Sequence, residues 1–371
     1  MRILYGVVGE GMGHAIRSRV VIEHLLDQGH AVRVVVSGKA HGFLSDRLEG
    51  RGDLSVEEIQ GFSLAFDGGE IDLLETVLTN LELAPRRLRK NLEVYRKVAE
   101  DGFSPELVIS DFESWAYLYA RNHRVPVVSI DNMHVIDRCK HDEAITRRSL
   151  DFQVAKAAVK VKVPGAYHYL VTSFFYPEVR KPRTTLVPPI LRPEILAAKR
   201  EPGEHIVVYQ TGSAAAALLP VLAKLPGTFR VYGAAQEGQQ GNVTLCAFSE
   251  AGFIDDLRTA RALIATAGFS LMGEAVHLGV PMLTVPLEGQ FEQELNARYL
   301  ARLGYGSWTP SLDADGLERF LGRIDDHQQA LDSYERAGNE ITLACVDELV
   351  RCVDLDEPRP ERLETRARGS W

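Results

Sequence analysis

ILYGVVGEGMGHAIRS, residues Ile3 to Ser18, sets an apolar run against a turn with glycines at positions 9, 11 and 13, then adds a histidine and an arginine. Ile3 to Val8 reads as a buried strand, and the residues after the glycines read as a helix. Glycine adopts backbone angles closed to other residues, so such a turn brings main-chain N–H groups or one chosen side chain close to a ligand. Strand, glycine turn and helix in that order form the opening unit of a doubly wound α/β sheet, where ligands bind beyond the carboxyl ends of the strands. The turn is not a dinucleotide fingerprint. Gly9-Glu10-Gly11-Met12-Gly13-His14 does not complete GxGxxG, and AVRVVVSGK, Ala31 to Lys39, lacks the acid that would hold a ribose.

The same alternation continues outward from this unit. In the first half, strands are expected at Ala31 to Val36, Leu107 to Ser110, Val125 to Ile130 and Tyr169 to Thr172. A second series begins at His205 to Tyr209 and continues with Phe229 to Tyr232, Ala262 to Thr266 and Met282 to Val285. Between the two series lies the proline-rich stretch VPPILRPEILAAKREPG, Val187 to Gly203, which reads as a linker. The fold class is therefore α/β, with two Rossmann-like doubly wound domains facing each other across a cleft. The expected division is an acceptor-binding domain over 1–187, a linker over 188–203, a donor-binding domain over 204–339, and a helix and tail over 340–371 that returns to the first domain.

Bulk composition narrows the function classes. The 371 residues carry 42 basic and 51 acidic side chains, a net charge of -9, which argues against a sequence-independent grip on nucleic acid. Cys139, Cys246, Cys345 and Cys352 form no CxxC pair and no zinc-type spacing with histidine, so they read as reduced thiols. No apolar run reaches the ~18 residues that a membrane-spanning helix needs. The apolar stretch behind Met1-Arg2 is too short for a secretory signal, and cytoplasmic localisation is expected. From Ile71 to Val98, apolar residues recur at helical spacing around a basic cluster, Arg86, Arg87, Arg89 and Lys90. This reads as a helical pair with a solvated basic turn, peripheral contact with a membrane surface being the alternative.

The second half holds the richest segment, TAGFSLMGEAVHLGVPMLTVPLEGQFEQELNARYLARLGYG, Thr266 to Gly306. A strand ends near Thr266, Gly268 makes the turn, and Phe269 and Ser270 present the first amides of a helix, where unpaired N–H groups and the helix dipole attract a phosphate. Glu274 stands six residues beyond Gly268, within reach of the vicinal hydroxyls of a ribose. Further on, Glu292 and Gln293 open another helix as an acid beside an amide, a pair that can hold several hydroxyls of one sugar.

Gly268 to Glu274, Gly279-Val280-Pro281, Pro286, Glu292-Gln293 and Asn296-Ala297 together resemble the donor-site signature of glycosyltransferases with the GT-B fold. The array is similar to that of the UDP-glycosyltransferases and of the peptidoglycan lipid-intermediate N-acetylglucosaminyltransferase. The resemblance implies diphosphate contacts at Gly268 and Ser270, ribose at Glu274, and donor sugar at Glu292 and Gln293. Thr266 stands where the UDP-glycosyltransferase signature has a phosphate-binding histidine. The loop Thr211, Gly212 and Ser213 resembles the family's first donor-domain loop, and Phe248 stands where the family clamps the base.

In the same families the first strand ends in a glycine-rich loop carrying a histidine, and GEGMGH matches with His14. Transfer to a hydroxyl needs a base, and histidine has the unperturbed pKa for it. Asp111, in LVISDFESWA, resembles the aspartate that orients that base, while Gly11, Gly13, Asp131, Asn132 and His134 are the expected acceptor contacts, His134 also being a reserve base. Arg17 stands one turn after His14, either reaching a phosphate or facing solvent. The sequence thus points to an inverting hexosyltransferase using a nucleotide sugar, UDP-type foremost, as co-substrate, with no cofactor and no metal. A nucleotide-sugar 2-epimerase and a non-catalytic nucleotide- or partner-binding relative are the alternatives.

Overall fold

The structure is a computed structural model, which describes residues 1–9, 11–61, 65–67, 70–147, 149–210, 213–234, 236–247, 249–357 and 360–363. The strands of the first half are Arg2–Val7 (β1), Ala31–Ser37 (β2), Leu54–Ile59 (β3), Ala65–Asp67 (β4), Glu70–Asp72 (β5), Leu107–Asp111 (β6), Val127–Asp131 (β7), His168–Thr172 (β8) and Thr184–Val187 (β9). Its helices are Met12–Asp27 (α1), Lys39–Arg47 (α2), Leu73–Glu100 (α3), Ser114–His123 (α4), Val135–Arg138 (α5), Glu143–Thr146 (α6) and Leu150–Lys162 (α7). The second half runs through Pro193–Ala197 (α8), His205–Tyr209 (β10), Ser213–Leu222 (α9), Thr228–Tyr232 (β11), Gly238–Gln240 (β12), Val243–Cys246 (β13), Glu250–Thr259 (α10), Ala262–Ala265 (β14), Phe269–Leu278 (α11) and Met282–Thr284 (β15). It ends with Phe291–Arg302 (α12), Gly306–Trp308 (β16), Ala314–Leu321 (α13), Ile324–Asp332 (α14) and Glu340–Asp354 (α15).

Two seven-stranded sheets result, ordered β3-β2-β1-β6-β7-β8-β9 and β12-β13-β11-β10-β14-β15-β16, with β4 and β5 as a separate hairpin. All neighbours in the first sheet are parallel, and in the second only β12 runs antiparallel, at the edge. Central parallel strands are covered on both faces, which is why Val34, Val35 and Val36 are all buried and why such strands read as unbroken apolar runs. The strands that the sequence pattern misses, β3, β4, β5, β9, β12, β13 and β16, carry polar residues and, β3 apart, span only three or four residues; β3, β9, β12 and β16 are sheet edges, where one neighbour suffices.

On one face of the first sheet, Ile22 and Leu25 of α1, Leu44 of α2 and Cys345, Val346 and Leu349 of α15 pack against Ile3, Tyr5 and Val34. On the other, Val94 and Val98 of α3, Ala116 and Tyr119 of α4 and Phe152 and Val159 of α7 pack against Leu4, Val35 and Val108. The expected helical pair over 71–98 is instead one helix, α3, with Pro85 inside it. Proline removes one backbone donor, but the Arg, Leu and Lys residues around it favour helix, so the basic cluster lies along the helix and not in a turn.

Strand order reverses between β1 and β6 in the first sheet and between β10 and β14 in the second. Each reversal opens a crevice at the carboxyl ends of the strands. Aromatic pairs join the two halves beside these crevices: Phe174 stacks on Phe269 at 5.9 Å and Phe175 on Tyr299 at 4.0 Å between ring centres.

Candidate active site

The three opening glycines have three separate reasons. At Gly9 a Cβ would stand 1.9 Å from the carbonyl oxygen of Ser37, so only glycine lets β1 pass that close to β2. Gly11 caps α1 with a φ of +88°, in the region closed to most side chains. Gly13 faces the other half of the molecule: a Cβ there would meet Ser270 Oγ at 2.6 Å. The amino ends of α1 and α11 therefore approach one another across the cleft. Neither helix has a side chain capping its first turn, Gly11 and Gly268 being the caps.

His14, Arg17 and Ser18 stand at i, i+3 and i+4 on α1 and so share one helical face, directed at Asp111 at the end of β6. His14 Nδ1 lies 2.8 Å from Asp111 Oδ1, and Arg17 Nη2 donates to the same oxygen at 2.5 Å. Asp111 Oδ2 accepts from Arg17 Nε at 2.8 Å and from Ser18 Oγ at 2.9 Å. Burial alone would raise the Asp111 pKa, but the Arg17 and His14 charges and hydrogen bonds outweigh it and hold the carboxyl well below the usual carboxylate range. The His14 side chain keeps 18% of its surface exposed, against 1% for Asp111, so the imidazole is the member of the pair that meets the cleft.

From this pair a chain of hydrogen bonds crosses between the halves. Arg17 Nη1 donates to Asn132 Oδ1 at 2.6 Å, and Asn132 Nδ2 donates to Glu292 Oε1 at 2.8 Å. Asn296 Nδ2 donates to the same Glu292 oxygen at 2.5 Å and to the Ala267 carbonyl at 3.1 Å. Burial pushes the Glu292 carboxyl up to about 7, with the hydrogen bonds from Asn296 and Asn132 and the charge of Arg17 pulling the other way. Gln293 is turned to its own loop: its Oε1 accepts from the Leu287 amide at 3.1 Å and its Nε2 donates to Gln290 Oε1 at 2.7 Å.

Asp131 and His134 lie beneath this line. His134 Nδ1 is 2.7 Å from Asp131 Oδ2, which also accepts from Ser129 Oγ at 2.6 Å, and the ring packs between Phe112 and Tyr169. Both residues are buried, so they satisfy each other and present almost no surface to the cleft.

On the opposite side, Thr266 and Gly268 are half-buried at the β14–α11 junction, and Ser270 is half-buried beyond them. The Phe269 ring is committed to Phe174, which leaves its main-chain N–H for a ligand. Glu274 is 4% exposed, and its oxygens accept from Arg192 Nε and Nη2, each at 2.8 Å. Burial raises the Glu274 pKa, opposed by Arg192. Arg192 belongs to the linker and also donates to Glu250 at 2.9 Å, while Arg47 of the first half pairs with the same Glu250. Nothing local in the sequence announces this clamp, because its partners are 58 and 82 positions apart from Arg192. Ser213 opens α9, and Thr211, Gly212 and Phe248 lie outside the described residues. Arg17, expected either to reach a phosphate or to face solvent, does neither: it is buried on Asp111 and Asn132, and Ser18 beside it was within reach of the sequence through its helical spacing from His14.

What the arrangement supplies is an exposed imidazole backed by a buried carboxylate, facing an uncapped helix end across a cleft between two sheets. Known proteins place this architecture. The sequence profile of glycosyl transferase family 1 matches residues 1–325. A Methanosarcina acetivorans protein described as an uncharacterized glycosyltransferase is 24% identical over 330 residues, covering 82% of this chain and 85% of its own. A Methanosarcina mazei protein described in the same words is 26% identical over 347 residues, with the same coverage. Among solved structures, the calicheamicin glycosyltransferase superposes with a TM-score of 0.64 at 18% identity, covering 95% of this chain and 98% of its own. The UDP-glucose:anthocyanidin 3-O-glucosyltransferase in complex with UDP gives 0.65 at 14% identity, with 95% and 99% covered. The profile match spans most of the sequence, and these structures share the two facing Rossmann-like domains of the GT-B fold; the chain belongs to glycosyl transferase family 1 and is a glycosyltransferase.

Proposed function

We propose that this glycosyltransferase moves a sugar from a nucleotide-diphosphate sugar, UDP-type foremost, to an acceptor hydroxyl, with inversion and without a metal. The observation that carries the reading is the His14–Asp111 pair, set at the end of α1 that faces the uncapped start of α11. Arg17 Nη2 also lies 2.7 Å from His14 Nδ1; in the tautomer that gives its Nδ1 proton to Asp111, with Arg17 donating to the carboxylate instead, His14 keeps the Nε2 lone pair for the acceptor. In one displacement the acceptor oxygen bonds to the anomeric carbon, the bond from that carbon to the diphosphate breaks, and the acceptor proton passes to Nε2. Asp111 then stabilises the imidazolium, tempered by Arg17, which already holds both carboxylate oxygens.

The departing charge meets the first amides of α11, around Phe269 and Ser270, with the Ser270 hydroxyl beside them. Glu292, held by Asn132 from one half and Asn296 from the other, is the sugar contact best placed between the sheets. Each Glu274 oxygen takes one N–H from Arg192 and retains a second lone pair, so a ribose diol can bind alongside the clamp. UDP and dTDP are bound in the anthocyanidin glucosyltransferase and in the glycosyltransferase VinC, which supports a pyrimidine nucleotide donor here. The four cysteines are free thiols, which supports a reducing, cytoplasmic setting.

A panel of nucleotide sugars tested for protection against thermal unfolding checks the reading. The right donor at 100 times its Kd adds ~2.7 kcal/mol of stability and raises the melting point. No shift with any member overturns the donor assignment, and release of a 2-epimer from donor alone selects the epimerase.

A further inference from the structure

The described residues include nine large hydrophobic side chains that are exposed, and six of them, Leu88, Leu92, Leu118, Leu150, Val154 and Val161, lie on α3, α4 and α7. These three helices cover the same face of the first sheet. The stripe is most regular on α7, where Leu150, Val154 and Val161 fall at i, i+4 and i+11 and are 82%, 68% and 72% exposed. That spacing keeps them on one side of the helix, with the exposed Ala157 between them. The opposite side of α7 is already used: Phe152 and Val159 are buried, and the Phe152 ring packs 5.4 Å from Phe291, the residue before Glu292.

The charge around the stripe is mainly basic, α3 adding the exposed acids Glu93 and Glu100 to its own arginines and lysines. Over α4, its cap and α7, the basic residues are Arg121, Arg124, Lys156, Lys160 and Lys162, and the one exposed acid is Asp151. α4 and α7 are neighbours, the Tyr117 hydroxyl of α4 donating to the Pro164 carbonyl just beyond α7. A basic, apolar face on a chain of net charge -9 is a local reversal of the molecule's sign.

We propose that this face, centred on the outer side of α7, docks on an anionic lipid surface. Leu150, Val154 and Val161 enter the headgroup boundary, while the lysine stems lie along it with their ammonium groups among lipid phosphates. Charge decides between occupants. A second copy of this chain would set the same basic rim against itself in a two-fold interface, whereas an anionic bilayer complements it. The acidic remainder of the molecule is repelled by the same bilayer, which fixes the orientation. Because α7 is seated beside Phe291, docking sets the cleft next to the membrane.

Flotation of the full chain with phosphatidylcholine vesicles, with and without phosphatidylglycerol, tests this. Binding is expected to the anionic vesicles and to weaken at least about tenfold without phosphatidylglycerol or in high salt, each lysine contributing about fivefold. The triple variant Leu150→Ser, Val154→Ser, Val161→Ser and the separate variant Lys156→Glu, Lys160→Glu, Lys162→Glu are each expected to lose binding at least about tenfold. The serine variant's melting point should match the parent, since its side chains are exposed; in the glutamate variant Lys156 and Lys162 also leave the rings of Phe152 and Phe112, so its binding is compared at a temperature where both chains are folded. No binding to anionic vesicles overturns the proposal, as does binding that neither variant weakens. A parent chain that sediments as a dimer, dissolved by the serine variant, gives the face to a second copy and also overturns it.

Discussion

The two strand-to-helix junctions that face each other across the cleft are alike in backbone and opposite in chemistry. At β1–α1 a glycine turn opens a helix whose first two turns carry His14, Arg17 and Ser18 onto a buried carboxylate. At β14–α11 a glycine turn opens a helix whose first turn carries Phe269, Ser270 and Leu271, and whose one acid, Glu274, is drawn off to Arg192. The first junction therefore presents side-chain acid–base chemistry, and the second presents main-chain N–H groups free of competing charge. One architectural unit, used twice, separates the proton problem from the leaving-group problem. A transfer between two bound partners needs that separation, because a base must not sit where a diphosphate collects.

The strongest way to break the contrast is to remove the side-chain chemistry from α1 alone. His14→Ala is expected to lower kcat by about 10²–10⁴, or ~2.7–5.5 kcal/mol of transition-state stabilisation, with donor protection in the melting assay retained. Asp111→Asn should fall in the same range, and because Arg17 donates to both carboxylate oxygens the new amide NH2 also costs one of those contacts. Full activity in His14→Ala, measured by nucleotide release, would remove the assignment of α1 as the proton-handling side.

A smaller effect sharpens the donor half. The folded-state pKa of Glu292, about 7, lies above the ordinary ~4.3, so the folded chain holds a proton that the unfolded chain has lost. Below the lower value both states are protonated and the contribution is fully present; it declines as pH rises through the window to about 7. Asp111 works the other way, its lowered pKa contributing stability that is lost only when pH drops below the ordinary ~3.9. Between pH 5 and 7, then, Glu292 should lower stability with rising pH by about 1–3 kcal/mol. Glu292→Gln should flatten that slope in urea unfolding. Identical slopes for parent and variant would show that burial does not hold this carboxyl protonated.

The strong periodic features were legible in the residues. Central strands such as Ala31–Ser37 are apolar because parallel sheets cover both faces, and the glycine junctions with His14, Asp111 and Gly268 stood out against helical and strand spacing. Arg17 was visible as a neighbour of His14 on one helical face, but its partner was not, since Asp111 lies 94 positions on. The same limit hid Arg192. A linker arginine carries no local pattern, and only the fold brings it to Glu274. The edge strand Thr184–Val187 escaped because its threonines are buried on hydrogen bonds to Arg138 and His168 that only the fold supplies, and so show no apolar run. His134 looked like a site residue because it follows a strand end, yet the chain turns it inward onto Asp131, where the pair is satisfied locally.

The subtlest test acts on the seam where the two junctions touch. Gly13 is the second residue of α1, where alanine is favoured over glycine by at most about 1 kcal/mol, so on local grounds Gly13→Ala should be neutral or stabilise slightly. Across the cleft the added Cβ would stand 2.6 Å from Ser270 Oγ and 3.1 Å from Ser270 Cβ. The hydroxyl can rotate aside, but the Cβ contact can be relieved only by parting α1 from α11. These two consequences fall on different measurements. The melting point should hold or rise by a degree or two, while kcat/KM drops severalfold because the imidazole and the helix end no longer close on the same substrate. Adding Ser270→Gly removes both offending atoms and should return most of the activity, despite deleting a hydroxyl near the leaving group. If the double variant is slower than Gly13→Ala alone, Ser270 matters as a donor more than Gly13 matters as a gap, and the approach of the two helix ends is packing without a role in closure.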